Sequence, residues 1–267
     1  MTYQCLTFER LDATVRVTLN RPDRLNALNR QMVDEMIAVA ALIRSDQTIR
    51  AVLLGANGRG FCAGADIVEG GLIDEQAVSV GASIGDSMRL RMNPMIEAWY
   101  QLPVPVVVAV QGIAAGAGAS LALTGDIVLA ARSATFLQLF APRLGLIPDL
   151  GGTYFLPRLV GTARAKGLAM LGDALGAQDA ASWGLIWACI EDDQLESAAT
   201  GLAARLAAGP TQAYTRIKAL FNEEPPATLH EQLEREQLVQ SQLGDTLDFS
   251  EGVQAFRDKR SPRFTGR

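Results

Sequence analysis

The sequence has little of the chemistry that many enzymes rely on, with one histidine and three cysteines in 267 residues. His230 lies on a polar stretch among glutamates, so we interpret it as a surface residue. This argues against a Ser–His triad and against a histidine metal site. Cys5, Cys62 and Cys189 are far apart and in no metal or redox spacing, which is typical of reduced thiols. The sequence therefore predicts no bound metal.

Motifs for nucleotides and signals for membranes are also missing. Neither G-x-G-x-x-G nor G-x-x-x-x-G-K-[ST] occurs, and the net charge of −5 argues against a nucleic-acid partner. No basic-then-apolar leader is readable at the N-terminus, so we expect a cytoplasmic protein. Residues 106–123 are nearly uncharged and long enough to span a bilayer, but their glycines and change of composition favour a buried strand, a turn and a helix.

What is present indicates an α/β protein, with 49% hydrophobic residues available for a substantial core. Short strands are predicted at 7–10, 15–19, 51–55, 106–110, 127–131 and 135–139. A helix is predicted at 29–43 with Asn29 as its N-cap, and helices follow at 88–99, 164–171, 177–183, 195–208, 211–221 and 229–243. Strands that fall in pairs before a helix predict a layered arrangement. A boundary near Asp193 divides the chain into a core, 1–193, and a helical C-terminal region, 194–267.

Asp149 is the first candidate for chemistry. It is the only ionisable residue between Arg143 and Arg158, and its neighbours are mostly apolar. A carboxylate in such company is costly unless something uses or satisfies it. One interpretation is an N-cap for a helix that opens at Leu150 or Gly151. The other is a catalytic acid/base.

Two glycine-rich turns, 58–66 and 112–120, each follow a predicted strand. Small side chains let a ligand approach the backbone, and the free N–H groups at a helix start favour negative charge. Two such turns together could hold a developing oxyanion. For either turn alone, tight packing of a helix is the alternative interpretation.

Taken together, these stretches resemble the crotonase, or enoyl-CoA hydratase/isomerase, superfamily. The residues that carry the likeness are Asn20-Arg21-Pro22, Leu25-Asn26-Ala27-Leu28, 61–67, 112–121, Gly151-Gly152-Thr153, Gly252, Phe256 and 259–262. The likeness covers essentially the whole chain. It implies a spiral of strand–strand–helix units with a helical C-terminal region. It also implies homotrimers, often paired into hexamers.

The resemblance implies a substrate and a set of site residues. The substrate is an acyl-CoA thioester, with coenzyme A as part of the substrate and no further cofactor. Its carbonyl is expected to accept hydrogen bonds from the backbone N–H groups of Ala65 and Ala117. The residues expected to bind substrate or coenzyme A are Arg24, Ala63, Asp66, Ile67, Gly116 and Lys259. Lys259 belongs to a basic tail that charge alone would assign to the solvated surface, and it is expected to meet the nucleotide phosphate, sometimes that of a neighbouring subunit.

Departures from the family pattern indicate the subclass. The two glutamates of the hydratases match Ser120 and Ala141, and neither of these residues can titrate. Asp149 matches the lone acid of several isomerases, and the likeness is greatest to those that act on ring-1,2-epoxyphenylacetyl-CoA in bacterial phenylacetate breakdown. We therefore expect an acyl-CoA isomerase for that substrate or for 3-enoyl to 2-enoyl conversion. The alternatives are an enoyl-CoA hydratase, a hydrolase or dehalogenase with Asp149 as nucleophile, and a non-catalytic CoA-binding homologue.

Overall fold

The computed structural model describes residues 3–66, 78–223 and 228–267. The strands are β1 (Leu6–Leu11), β2 (Thr14–Leu19), β3 (Ala51–Ala56), β4 (Val106–Val110), β5 (Ile113–Ala115), β6 (Ile127–Ala131), β7 (Thr135–Leu137), β8 (Leu175–Gly176) and β9 (Ala188–Ile190). The α-helices are α1 (Arg30–Ser45), α2 (Val80–Ser87), α3 (Asn93–Tyr100), α4 (Ala117–Ala122), α5 (Gly152–Leu171), α6 (Ala177–Trp183), α7 (Leu195–Ala207), α8 (Thr211–Asn222), α9 (Leu229–Gly244) and α10 (Leu247–Arg257).

The larger sheet has six strands in the order β1-β2-β3-β4-β6-β9. Only the β1–β2 pair is antiparallel among them, and the other neighbours run parallel. All five residues of β4, Val-Val-Val-Ala-Val, are buried, as expected for a central strand covered on both faces. Because β3, β4 and β6 are parallel neighbours, the segments that follow them emerge at one edge of the sheet.

Helix α1 shows how the sequence sets an element and its position. The Asn29 side chain accepts a hydrogen bond from the Met32 N–H, which confirms the predicted N-cap. The apolar positions Met32, Val33, Met36, Val39, Ala40 and Ile43 are all buried. Their helical spacing forms one stripe that packs into the core. Met36 also accepts, through its carbonyl, a hydrogen bond from the indole of the fully buried Trp99.

A smaller sheet runs beside the larger one in the order β5-β7-β8. Two isolated parallel bridges, Leu28 with Ala65 and Cys62 with Ala114, extend the same line of pairing. Each turn of the chain thus contributes one strand to the large sheet, one short extended segment to the second layer and then a helix. This confirms the expected spiral of strand–strand–helix units.

The C-terminal helices pack partly on the large sheet, and hydrogen bonds hold the last residues of the chain against the rest of the protein. Helix α7 lies on the large sheet with Ala199 and Ala203 buried. The buried Asp248 carboxylate accepts from the backbone N–H groups of Thr265 and Gly266. Arg50, just before β3, donates to the carbonyls of Gly209 and Phe264. The boundary near Asp193 stays a prediction.

Several elements differ from the sequence-based predictions: α2, β8, β9 and α10 have no counterpart there, and two other regions differ in type or extent. The region 112–124 contains β5 as well as the turn and helix α4, because Ile113–Ala115 pairs with β7 far along the chain. Helix α5 begins at Gly152, well before the predicted residue 164, and it bends at Gly161, where φ is 78°. Among the residues that the structure describes, no helix is both long and apolar enough to cross a bilayer.

Candidate active site

Asp149 sits in the turn that leads into α5. A π-helical turn, Phe140–Leu144, ends at Gly145 with φ of 66°, and the chain then reaches Asp149. Leu150 and Gly151 both have positive φ, of 50° and 86°. A left-handed conformation is costly for leucine, and here the side chain of Leu150 is buried. Burial of the Leu150 side chain therefore fixes the conformation of the turn next to Asp149.

The Asp149 side chain does not cap the helix. The N-cap of α5 is Gly151, which has no side chain to accept a bond, and it is the Asp149 backbone carbonyl that accepts from the Gly152 N–H at 2.8 Å. The N-cap interpretation of this carboxylate is therefore wrong. The side chain remains available for another role.

The environment of the Asp149 carboxyl group disfavours its charge. The residue is half-buried, and Oδ1 is inaccessible to solvent and lacks a hydrogen-bond partner in the part of the chain described. Burial raises the pKa of Asp149 from 3.8 to about 6, and a contact with its own backbone N–H lowers it slightly. A carboxyl group with this pKa exchanges a proton readily near neutral pH.

Ser120 connects the acid to helix α4. The side chain is fully buried, and its hydroxyl donates to the Asp149 backbone carbonyl at 2.9 Å. Ser120 lies one turn after Ala117, the first residue of α4. The acid and the start of this helix are thus fixed relative to each other.

The Ala117 N–H lies at the start of α4, after Gly116 with φ of 52° and ψ of −121°. The first N–H groups of a helix have no partner within it. The Gly116 N–H is already bound to the Leu137 carbonyl, and the Gly116 carbonyl accepts from the Ser120 N–H. Among the described residues, no backbone carbonyl outside α4 accepts from the N–H groups that precede Ser120 in the helix, and that of Ala117 is the one nearest to Gly116.

The Ala65 N–H is oriented by its neighbours. The Gly64 carbonyl accepts from the Leu28 N–H at 2.8 Å, and the Asp66 N–H donates to the Leu28 carbonyl at 3.0 Å. Because a trans peptide points its N–H opposite to its C=O, the Ala65 N–H faces away from Leu28. Among the described residues, no backbone carbonyl accepts from it.

Gly64 brings the two amide segments into contact. Its φ is 102°, and a Cβ built on it would lie 2.9 Å from the Ala115 carbonyl oxygen and 3.6 Å from the Ala117 nitrogen. Only glycine allows both this conformation and this approach. The peptide that joins Gly64 to Ala65 therefore lies directly against the start of α4. Asp149 is hydrogen-bonded to Ser120, one turn further along the same helix.

The remaining predicted site residues have varied surroundings. Arg24 is exposed, and Ala63 and Gly116 are half-buried. Asp66 is buried, and its carboxylate pairs with Arg21 at 3.0 Å. Lys259 is exposed after α10, and within the described chain it has no hydrogen bond or ion pair with another of the site residues. Ile67 lies outside the described residues.

The large cavities of the described chain lie away from these groups. One of about 750 Å³ is lined by Tyr154, Arg158 and Trp187 among others, and one of about 790 Å³ by Phe249 and Phe256 among others. Neither cavity is lined by Asp149, Ala65 or Ala117. In the same described ranges, no three His, Cys, Asp or Glu side chains are grouped so as to hold a metal ion.

Comparison with known proteins adds a second line of evidence to this geometry. The family model described as enoyl-CoA hydratase/isomerase matches residues 9–267. The chain belongs to the enoyl-CoA hydratase/isomerase family. Within this family it is 47% identical over 253 residues to the 1,2-epoxyphenylacetyl-CoA isomerase of Escherichia coli K12, with 94% of each chain covered. It is 34% identical over 252 residues to the trans-2-decenoyl-[acyl-carrier-protein] isomerase of Streptococcus mutans, again with 94% of each covered.

A solved structure in the enoyl-CoA hydratase/isomerase family has the same fold. The enoyl-CoA hydratase from Bacillus anthracis superposes with a TM-score of 0.91 at 31% identity, covering 99% of this chain and 100% of the other. The proteins that this chain resembles are thus named both as isomerases and as hydratases.

Two residues behind the site, Arg21 and Asn26, have no role in the sequence-based predictions for this enoyl-CoA hydratase/isomerase family protein. Arg21 joins the segment after β2 to Asp66. Asn26 is fully buried, and its side chain accepts from the Arg21 N–H and donates to the carbonyls of Asn57 and Gly60. Both belong to the motifs that carry the resemblance, but their partners are distant in sequence, so no local pattern revealed the contacts.

Proposed function

We propose that this chain is an acyl-CoA isomerase in which Asp149 moves a proton beneath a thioester held by the N–H groups of Ala65 and Ala117. The observation that carries the proposal is the Asp149 carboxyl group, whose Oδ1 is buried without a hydrogen-bond partner among the described residues. The Asp149 backbone carbonyl accepts from Ser120, on the helix that begins at Ala117. A pKa of about 6 suits an acid that must both accept and release a proton.

The proposed reaction balances with one carboxyl group. The Asp149 carboxylate takes a proton from C2 of a 3-enoyl thioester, and the electron pair moves into a dienolate whose negative charge lies on the thioester oxygen. The Ala65 and Ala117 N–H groups stabilise that oxygen, and such donors typically contribute about 3–4 kcal/mol each. The protonated Asp149 then returns the proton to C4, which leaves the 2-enoyl thioester. No water is added and no cofactor beyond the substrate's own coenzyme A takes part.

The acyl group is the finer part of the proposal. We propose ring-1,2-epoxyphenylacetyl-CoA as the natural substrate, supported by the 47% identity to the isomerase named for it. In that substrate the same two N–H groups would hold the thioester while the carboxyl group assists rearrangement of the ring. Conversion of 3-enoyl-CoA to 2-enoyl-CoA would use the same residues.

The test is product analysis with three substrates: the ring epoxide, a 3-enoyl-CoA and crotonyl-CoA. We expect isomerised products from the first two, without incorporation of oxygen from H₂¹⁸O. A labelled 3-hydroxyacyl-CoA from crotonyl-CoA would instead establish a hydratase. Binding of all three without turnover would establish a non-catalytic homologue.

Three further properties remain part of the proposal. A homotrimer or a hexamer, measured by light scattering, is expected from the family likeness. Lys259 and Arg24 are proposed to contact the nucleotide part of coenzyme A, Lys259 in its own or a neighbouring subunit. A cytoplasmic location fits the three cysteines, which are far apart in the sequence and in no redox spacing.

A further inference from the structure

Arg21 lies behind the segment that carries the Ala65 amide. One nitrogen of its guanidinium, Nη1, donates both to the Ala27 carbonyl at 2.5 Å and to Oδ2 of Asp66 at 3.0 Å. The Arg21 side chain is 11% exposed and that of Asp66 is 6% exposed. A nearly buried ion pair therefore joins the turn after β2 to the loop after β3, across 45 positions of sequence.

This pair and two backbone hydrogen bonds enclose the peptide unit of Ala65. Leu28 binds the carbonyl of Gly64 on one side of it and the N–H of Asp66 on the other. Arg21 fixes the carbonyl of Ala27, the residue before Leu28, and also the side chain of Asp66. Both the segment that pairs with Ala65 and the loop that contains Ala65 are thus bound to one guanidinium group.

We propose that Arg21 is a positioning residue that sets the direction of the Ala65 N–H toward the thioester oxygen. The inference rests on the proposed function, because it assigns Arg21 a part in stabilising the oxyanion. A buried ion pair contributes little net stability over an apolar pair of the same volume, since both charges lose their hydration. What the guanidinium supplies is geometry: planar donors that hold two segments at fixed angles.

Loss of the Arg21 contacts should reduce the polarisation of the bound thioester carbonyl, because the Ala65 N–H would no longer point at its oxygen. A hydrogen bond to a thioester oxygen weakens the C=O bond and lowers its stretching frequency. The probe is hexanoyl-CoA labelled with ¹³C at the thioester carbonyl, which has no double bond to move. Infrared difference spectra at saturating enzyme would compare the wild-type protein with the Arg21→Gln, Arg21→Lys and Asp66→Asn variants.

We expect the frequency to fall on binding to the wild type, and to fall by less than half as much with Arg21→Gln and Asp66→Asn. Complete loss of one such donor typically costs about 10²–10³-fold in kcat, so a misdirected donor should cost about tenfold or more. For Arg21→Gln, KM should change less than threefold, because Arg21 is not among the residues expected to bind coenzyme A. Arg21→Lys should recover part of the frequency shift and part of kcat, since an ammonium group keeps the charge but lacks the planar, fixed geometry of the guanidinium.

The matched control is Arg16→Gln, which removes another arginine–carboxylate pair, between β2 and Glu196 of α7. Its infrared signal and kcat should equal those of the wild type even where its melting temperature falls. If Arg21→Gln is too unstable to measure, Asp66→Asn carries the test, because it removes the charge at constant volume.

Two results would overturn different claims. A variant of the Arg21–Asp66 pair that retains the full wild-type frequency shift and kcat would refute the positioning role. Absence of any shift in the wild-type protein with bound probe would refute the oxyanion arrangement under "Proposed function", and the role of Arg21 with it.

Discussion

Replacement of Asp149 by asparagine keeps the shape of the side chain and removes its charge. In the folded protein, burial raises the pKa of this carboxyl group from 3.8 to about 6. The folded state therefore binds the proton more tightly than the unfolded state does, and the protein loses stability as pH rises through this window. Asparagine has no charge to bury, so Asp149→Asn should be more stable than the wild type at neutral pH.

The size of the effect follows from the two pKa values. At about 1.4 kcal/mol per pH unit, the charged Asp149 costs about 3 kcal/mol at pH 7 and about 1.5 kcal/mol at pH 5. Solvent reaches part of this half-buried carboxyl group, so both figures are upper bounds. The advantage of Asp149→Asn over the wild type should thus grow by about 1 kcal/mol between pH 5 and pH 7.

Urea unfolding of both proteins at pH 5, 6, 7 and 8 measures this difference. Asp173→Asn, at an exposed aspartate just after α5, supplies the background effect of the same exchange. The same Asp149→Asn protein should lose about 10²–10⁴-fold in kcat, as expected for removal of a general acid/base. In the wild type, kcat/KM should rise with pH to a plateau above about pH 6, since the carboxylate form takes the first proton.

Different outcomes would refute the burial of the Asp149 charge and the catalytic role of Asp149. Equal stability differences at pH 5 and pH 8 would show that the Asp149 charge is not desolvated in the folded state. An Asp149→Asn protein that is stabilised but fully active would leave the burial argument intact and remove the residue from the chemistry.

Three further substitutions test how the site is held. Ser120→Ala removes the donor to the Asp149 carbonyl, and we expect a loss of about 1 kcal/mol in urea unfolding together with a lower kcat at unchanged KM. Lys218→Met leaves the Asp126 carboxylate, already raised in pKa by burial, without its 2.9 Å partner, so the free energy of unfolding should fall by about 3–5 kcal/mol at neutral pH. Gly118→Ala places a Cβ 2.3 Å from a carbonyl oxygen of the loop after β3, and circular dichroism during heating should show a melting temperature at least about 8 °C lower.

Local pattern was sufficient to predict most elements of the fold. The helix after Asn29 is predicted by its N-cap residue and by its stripe of apolar residues, and the structure has both features. Strands β4 and β6 are short apolar runs bounded by turn residues, and their predicted limits match those observed. These features depend on residues within one or two turns of each other, which is what a sequence pattern reports.

What the sequence did not predict depends on contacts between distant segments. Strand β5 lies within a run of alanine and glycine that has no periodicity, and its pairing with β7 makes it a strand. The role of Asp149 as an N-cap was reasonable locally, but the left-handed Leu150 directs the side chain elsewhere. The contact between Arg21 and Asp66 joins two turns of the spiral, so neither residue showed its partner in the sequence.

The order of the strands explains how segments far apart in the sequence come together at the candidate site. Strands β3, β4 and β6 are neighbours, and the segments after them contain the proposed donors Ala65 and Ala117 and the proposed acid Asp149. The two proposed donors are backbone N–H groups and do not depend on which side chain the residue carries, whereas the proposed acid depends on its side chain. Ser120 stands where the resemblance places a hydratase glutamate, and its hydroxyl is already committed to the Asp149 carbonyl.

A glutamate restored at position 120 would therefore remove the tether of one acid while adding another in a fully buried site. We expect Ser120→Glu to lose isomerase activity without gaining hydratase activity, because the partner glutamate is still missing at Ala141. The measurement is 3-hydroxyacyl-CoA formed from crotonyl-CoA. Efficient hydration by this single variant would refute the need for a second acid at position 141, and retained isomerase activity would show that the 2.9 Å hydrogen bond of Ser120 is not needed to position Asp149.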